Sequence, residues 1–460
     1  MANFTLEAIL AAVGGTIVQS SPAQEFNNIQ IDSRKVQSGD LFIALTGERF
    51  DGHDFLSQVA LRGAAAAVVM KEVAIPSELG LIRVADTLEA LGAIARLQRR
   101  KFNIPVIAIT GSNGKTTTKD LIAAVLEQQL MITKTEANFN NEIGLPLTLL
   151  KITQASQAVV VEMGMRGLGQ IRSLAAFAEP ELAVITNVGL THLELLGSQE
   201  NIGRAKAELV EALPQNGVAI LNGDDPIVRQ MTALNKGRSV LFGIDQIGLD
   251  YRADEIRMSS SGSTFKVYYK GGFLEVQLPL PGKHNILNAL AAIAVGRELG
   301  IEPERIKKGL AQPELTGKRL HIIERNEYVI IDDTYNASPT SVKASLEVLI
   351  NTIGKRKIAV LADMLELGPT AVPIHQEIGK YASTIGVDYL FGFGDLGREY
   401  VAGYQSAMQG TAQHFSTKTA LIAQLRSMLH PNDVILIKGS RGMKMEEVVA
   451  AISETGVGVS

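Results

Sequence analysis

The segment that most restricts the fold is a short apolar run, residues 104–110, which feeds into Gly111-Ser112-Asn113-Gly114 and then into an apolar-periodic stretch from Lys115. An unbroken apolar run of that length, ended by glycine, suits a strand buried on both faces, and such burial requires helices above and below it. Similar runs stand at 158–162, 182–186 and 218–222, separated by stretches of helical period. That alternation predicts a parallel sheet covered by helices. Strands of this kind carry few polar positions, so polar chemistry is expected at their C-terminal ends.

The 460 residues exceed one ordinary core. Residues 1–102 mix short strands at 40–45, 65–70 and 81–84 with helical stretches. The last helix, near 87–100, ends in the basic cluster Arg99, Arg100, Lys101, read as a domain hinge. The apolar stretch 8–18 reads as an amphipathic first helix rather than a leader, since no basic residue precedes it and Glu7 stands at its edge. Residues 103–313 hold the central sheet, with an antiparallel meander over 250–280 that turns at 259–263 and at Gly271-Gly272. In residues 314–460, strands at 328–332, 357–361, 389–393 and 434–438 alternate with helices as in a Rossmann-like unit. The expected fold is therefore α/β in three domains.

A net charge of −4 leaves no cationic footprint for nucleic acid, and no apolar run reaches membrane-spanning length. The absence of cysteine excludes disulfides, thiolate metal sites and a cysteine nucleophile. These features fit a cytoplasmic protein.

In the loop from Thr110 to Thr117, glycines let backbone N–H groups turn toward phosphate oxygens, and the helix N-terminus adds positive dipole. Lys115 is placed to neutralise β/γ-phosphates and the Thr116 hydroxyl to ligate Mg²⁺. Ile109 occupies the position of the first glycine in the full phosphate-loop pattern. Glu162 ends the run 158–162, where a second hard oxygen donor for Mg²⁺ belongs. His192 follows the run 182–186, and Lys206 lies in the helical stretch 201–212. By its neighbours alone, Lys206 reads as a solvated helix lysine.

Nine strings extend the pattern: 110–119 (TGSNGKTTTK), 138–150 (NFNNEIGLPLTLL), 162–169 (EMGMRGLG), 186–197 (TNVGLTHLELLG), 205–208 (AKAE), 282–288 (GKHNILN), 333–339 (DTYNASP), 364–368 (MLELG) and 438–442 (KGSRG). Together they resemble the Mur ligase superfamily, and EMGMRG and DTYNASP resemble its D-alanyl-D-alanine-adding branch. Ser338 and Ala362 depart from that pattern, standing where the family usually has Asn and Gly.

The resemblance implies an ATP-dependent ligase of peptidoglycan synthesis. It would join D-alanyl-D-alanine to UDP-N-acetylmuramoyl-tripeptide through an acyl phosphate, acting as a monomer. It implies a small N-terminal uridine-nucleotide domain that uses Ser33 and Arg34. ATP would be held by Thr110, Gly111, Ser112, Asn113, Gly114, Lys115, Thr116, Thr117, Asn285, Asn288, Arg319 and Asp333. Magnesium would be held by Thr116, Glu162, His192 and Lys206, the last as a carbamate, with Lys115, Glu162, His192 and Lys206 forming the catalytic set. A sibling such as folylpolyglutamate synthase lacks a separate uridine-nucleotide domain. A phosphate-loop switch protein or a non-catalytic binding module would need neither the His192 and Lys206 pair nor a third domain.

Overall fold

Every residue of Val106–Thr110 is buried, because layers of helix lie on both faces of the strand. In the computed structural model, which describes residues 4–20, 23–73, 79–259, 261–317, 320–325, 328–407 and 410–453, this strand lies within a nine-stranded sheet. The order is Gly272–Leu278, Gly262–Tyr269, Tyr251–Ser259, Arg238–Gly243, Val218–Asn222, Leu182–Ile185, Val106–Thr110, Ala158–Glu162, Ile132–Lys134. The last seven run parallel. The expected meander is present, and it continues this sheet because Tyr251 pairs in parallel register with Phe242.

Helices Lys115–Leu126, Lys283–Glu298 and Pro303–Ala311 cover one face, packing Leu121, Val125 and Ile293 against Ile107 and Ile109. Helices Gly144–Leu150, Gln170–Ala178 and Gln199–Glu211 cover the other through Leu149, Leu174 and Leu209. Both faces are consumed by packing, so the loops at the strand ends are left to meet ligand.

The N-terminal domain has a five-stranded sheet in the order Thr16–Gln19, Gly80–Arg83, Ala66–Val69, Leu41–Ile43, Ile29–Gln30, antiparallel only at its first pair. The first helix is shorter than its apolar stretch. Leu6–Val13 ends at Gly14 in the left-handed conformation (φ 61°), and β-branched Thr16, Ile17 and Val18 continue as a strand. The C-terminal sheet runs His321–Glu324, Tyr328–Asp333, Asp433–Lys438, Arg356–Ala362, Tyr389–Phe393, Thr411–Phe415, with only the first strand antiparallel. It has the Rossmann-like form expected, with an apolar layer on each face.

The basic cluster read as a hinge, at the end of helix Thr87–Arg100, is clamped onto the central domain. Arg99 is buried; it donates to the carbonyls of Ala178 and Phe102 and pairs with Glu181 at 2.7 Å. Arg96 and Arg100 both pair with Glu179, and the Lys101 ammonium lies 4.0 Å from the Phe4 ring centroid. A side chain at Gly92 would meet the Phe177 ring at 2.3 Å, so the helix lies directly against the central domain. Local sequence reveals the charges but not the carboxylates and carbonyls some 80 residues away that fix them. Arg99→Ala should lower unfolding stability by about 2 kcal/mol, since it removes charged hydrogen bonds from a buried seam. Chemical denaturation reads this directly, and an unchanged midpoint would mean the clamp carries no load.

Candidate active site

The loop Gly111–Gly114 sits between two neighbouring strand ends and is laced to them. Ser112 N donates to Asn187 O at 2.9 Å, Thr186 Oγ1 to Asn113 O at 2.7 Å, and Thr110 Oγ1 to Met163 O at 2.8 Å. Glycine is required at two points. A Cβ at Gly111 would lie 1.8 Å from Thr186 Oγ1, and one at Gly114 (φ 81°) would lie 2.6 Å from Asn288 Oδ1. Lys115 begins the helix and folds back, its ammonium donating to Gly111 O at 2.8 Å. The loop is thus fixed by its own Ser112 and Asn113 N–H groups, both spent on Asn187, with a cation beside it.

Glu162 ends its strand as expected and is buried. Thr116 Oγ1 donates to its Oε2 and Asn140 Nδ2 to its Oε1, both at 2.8 Å, while its own N–H donates to Thr135 Oγ1. His192 has a left-handed backbone (φ 65°) and faces Glu366 of the C-terminal domain, which is also left-handed (φ 63°). Two strained non-glycine residues meeting across a domain boundary mark a functional seam. Their side chains are 2.6 Å apart. A carboxylate only accepts, so His192 Nδ1 carries the proton and Nε2 keeps its lone pair. Burial lowers the imidazole pKa, Glu366 opposes this, and the Lys115 and Lys206 charges reinforce it.

Lys206 departs most from its local sequence. It is 2% exposed, on the inward side of helix Gln199–Glu211. Burial, with the Lys115 charge adding to it, drives its pKa well below the ordinary 10.5. It is a buried lysine facing the cleft and not a solvated helix lysine.

Opposite, Asn285 and Asn288 are buried on helix Lys283–Glu298 and bonded to each other at 3.1 Å, and Thr118 Oγ1 donates to Asn288 Oδ1. From the C-terminal domain, Asp333 pairs with Lys438 and accepts from Ser345 Oγ at 2.6 Å. Beside them, burial brings the His284 imidazole down to about 4, so it is neutral at ordinary pH.

A single cleft of about 590 Å³ gathers these groups. Gly111 to Thr117, Glu162, His192, Lys206, Asn285, Asn288 and Asp333 all line it, and Thr110 lies buried beneath the loop. Arg319 falls outside the described residues. Ser33 and Arg34 do not line the cleft. Arg34 is exposed and its guanidinium is paired with Asp32 at 2.8 Å, which holds the Asp32 carboxyl at about 2. Asn140, Glu366 and Lys438 were given no role from sequence, although the strings NFNNEIG, MLELG and KGSRG contained them. Their partners Glu162, His192 and Asp333 are far away along the chain.

Family models match in succession along the chain: the Mur ligase family catalytic domain over residues 25–137, the Mur ligase middle domain over 109–296 and the Mur ligase glutamate ligase domain over 318–441. The chain is 39% identical over 460 residues to the UDP-N-acetylmuramoyl-tripeptide–D-alanyl-D-alanine ligase of Bacillus subtilis, with 99% of each covered. The chain belongs to the Mur ligase family. The Escherichia coli enzyme of the same name is 38% identical over 93% of this chain and 94% of its own. Among solved structures, MurF from Acinetobacter baumannii superposes with a TM-score of 0.92 at 33% identity, covering 99% of this chain and 100% of that one. MurF ligase from Thermotoga maritima in complex with ADP superposes at 0.83 with 28% identity, covering 93% and 97%.

The burial of Lys206 has a measurable consequence. Between its lowered value in the fold and 10.5, the unfolded chain carries an ammonium there that the folded chain has released. The unfolded state then binds more protons, so stability rises with pH toward 10.5. Lys206→Met removes that cost. In CO₂-free buffer it should raise the thermal midpoint by about a few degrees near neutral pH. The gain should shrink as pH approaches 10.5, and a gain independent of pH would show that the lysine keeps its proton in the fold.

Proposed function

We propose that this chain joins D-alanyl-D-alanine to UDP-N-acetylmuramoyl-tripeptide and converts ATP to ADP and phosphate, in peptidoglycan synthesis. The supporting observation is the convergence of a phosphate loop, two buried oxygen donors, an oriented imidazole and a buried lysine in one cleft between two domains. The domains are drawn at 1–102, 103–313 and 314–460. Both boundaries fall between a helix and the first strand of the next sheet.

An amine cannot usefully displace oxide from a carboxylate, so the carboxylate must first gain a leaving group. The tripeptide's terminal carboxylate attacks the γ-phosphorus of ATP. The bond to the bridging oxygen breaks, leaving ADP and an acyl phosphate. The amine of D-alanyl-D-alanine then attacks the acyl carbon, losing a proton as phosphate departs and the amide forms. The Lys115 ammonium and the N-terminus of helix Lys115–Leu126 bind the phosphates and offset their charge. Asn285 and Asn288 face the adenine and Asp333 the ribose, with Arg319 assigned to phosphate. Closure of the C-terminal domain excludes water that would hydrolyse the acyl phosphate. Ser33 and Arg34 are assigned to the uridine nucleotide.

Among the described residues no three His, Cys, Asp or Glu converge as a metal cage. Mg²⁺ seldom uses one: it takes one or two protein oxygens together with phosphates and water. Thr116 Oγ1 and Glu162 Oε2, 2.8 Å apart beside the phosphate loop, fit that habit. His192 Nε2 retains its lone pair, and Lys206, as a neutral amine, can add CO₂ and lose one proton to become a carbamate with two oxygens. Bound there, Mg²⁺ would supply charge neutralisation for phosphoryl transfer. Both cleft walls come from one chain, which supports a monomer, and the use of ATP supports a cytoplasmic reaction.

Phosphate release should require both the tripeptide nucleotide and D-alanyl-D-alanine, with the pentapeptide nucleotide identified by mass; ATP hydrolysis with no amide product would sink the proposal. Lys115→Ala should cost on the order of a hundredfold or more in turnover. Lys206→Arg should be inactive because a guanidinium cannot form the carbamate. Lys206→Ala should regain some turnover with acetate or formate. A fully active Lys206→Arg would rule the carbamate out.

A further inference from the structure

Asn113 is fixed by its backbone to one domain and by its side chain to the other. Its N–H donates to Asn187 Oδ1 at 3.0 Å, and its carbonyl accepts from Thr186 Oγ1 and Asn187 Nδ2. Its side-chain oxygen accepts from Ser338 Oγ at 2.8 Å, a bond that crosses from the C-terminal domain onto the phosphate loop. Ser338 is 5% exposed and caps helix Pro339–Asn351 in a capping box with Ser341. The Ser341 hydroxyl accepts from Ser338 N at 2.9 Å and donates to Ser338 O at 3.0 Å. Its own proton is therefore spent within the box. The Ser338 oxygen accepts weakly from Ser341 N; its one proton has two acceptors in reach, Ser341 Oγ at 3.0 Å and the nearer Asn113 Oδ1, an amide oxygen that can only accept.

An amide held by its oxygen presents its NH₂ on the opposite side. Asn113 Nδ2 is buried and has no hydrogen-bond partner among the described residues. Gly189 sets no side chain against it; a Cβ there would stand 3.4 Å from Nδ2. Asn113, Ser338 and Thr340 all line the cleft. Two unspent N–H donors in a buried wall beside Lys115 call for an oxygen-rich anion.

We propose that Ser338 is a positioning residue: docked by domain closure, its hydroxyl sets the polarity of the Asn113 amide so that both N–H donors face the transferring phosphate. The inference rests on the assignment of the cleft to ATP. It makes closure chemically active, because the C-terminal domain completes a donor belonging to the central domain. It also explains how serine serves where the family usually has asparagine: a hydroxyl delivers one donor to the amide oxygen while still capping its own helix.

The test reverses the polarity while keeping the cap. Aspartate caps a helix as well as serine does but can only accept, so Ser338→Asp should turn the Asn113 oxygen toward the phosphate. The expected result is a fall in kcat of about tenfold or more, with KM for the tripeptide nucleotide and the thermal midpoint little changed. Ser338→Thr keeps the donor and should restore kcat. In an Asn113→Ala background, Ser338→Asp should have little further effect, since there is no amide left to turn. Equal losses in both backgrounds, or wild-type kcat for Ser338→Asp, would overturn the proposal. Binding of a non-hydrolysable ATP analogue to the wild type and to Lys115→Ala tests the parent assignment separately: equal affinity would remove ATP from the cleft whatever Ser338 does.

Discussion

A parallel sheet covered on both faces leaves its strands one place to meet ligand, the loops beyond their C-terminal ends. In the central domain, Ala158–Glu162, Val106–Thr110 and Leu182–Ile185 are adjacent strands running the same way. Glu162, the phosphate loop and Thr186 are therefore neighbours by construction. The loop need not be held by its own sequence, because Thr186, Asn187 and Met163 on flanking strands hold its backbone. That rigidity is what preorganised phosphate binding requires.

The same packing sets the electrostatics. Helix Gln199–Glu211 must bury its inner side against the sheet, and Lys206 lies on that side with Ile202, Ala205 and Leu209. An ammonium there is desolvated beside a second cation, Lys115, and its pKa falls well below the ordinary value. His192 is subject to the same two influences and is offset by Glu366. Burial thus lowers the pKa of one amine and one imidazole in the same cleft.

The C-terminal domain supplies what the central sheet cannot, a lid with its own polar groups. Glu366 orients His192, Ser338 reaches Asn113, and the backbone N–H of Glu194 donates to Glu366 O. These contacts join the two domains directly. Each of them couples a loop at a strand end of one sheet to a loop of the other, so the site is complete only where the two domains meet.

Much was legible along the chain. The buried runs at 158–162 and 218–222 became the strands Ala158–Glu162 and Val218–Asn222, and the helix expected over 87–100 is Thr87–Arg100. Continuous apolar runs and helical period are local properties, and a strand that must be buried on both faces has little freedom to be anything else. The phosphate loop and the carboxylate at a strand end were equally local. Three things were decided only by tertiary structure. Lys206 is buried because of which side of its helix meets the sheet, and its charged neighbours in sequence gave the opposite impression. The cluster at Arg99 is a clamp because Ala178 and Glu181 come to meet it. The facing pair His192 and Glu366 exists because two domains close. In each case the deciding partner lies far away in sequence, and its contribution is desolvation or a hydrogen bond that no local pattern encodes.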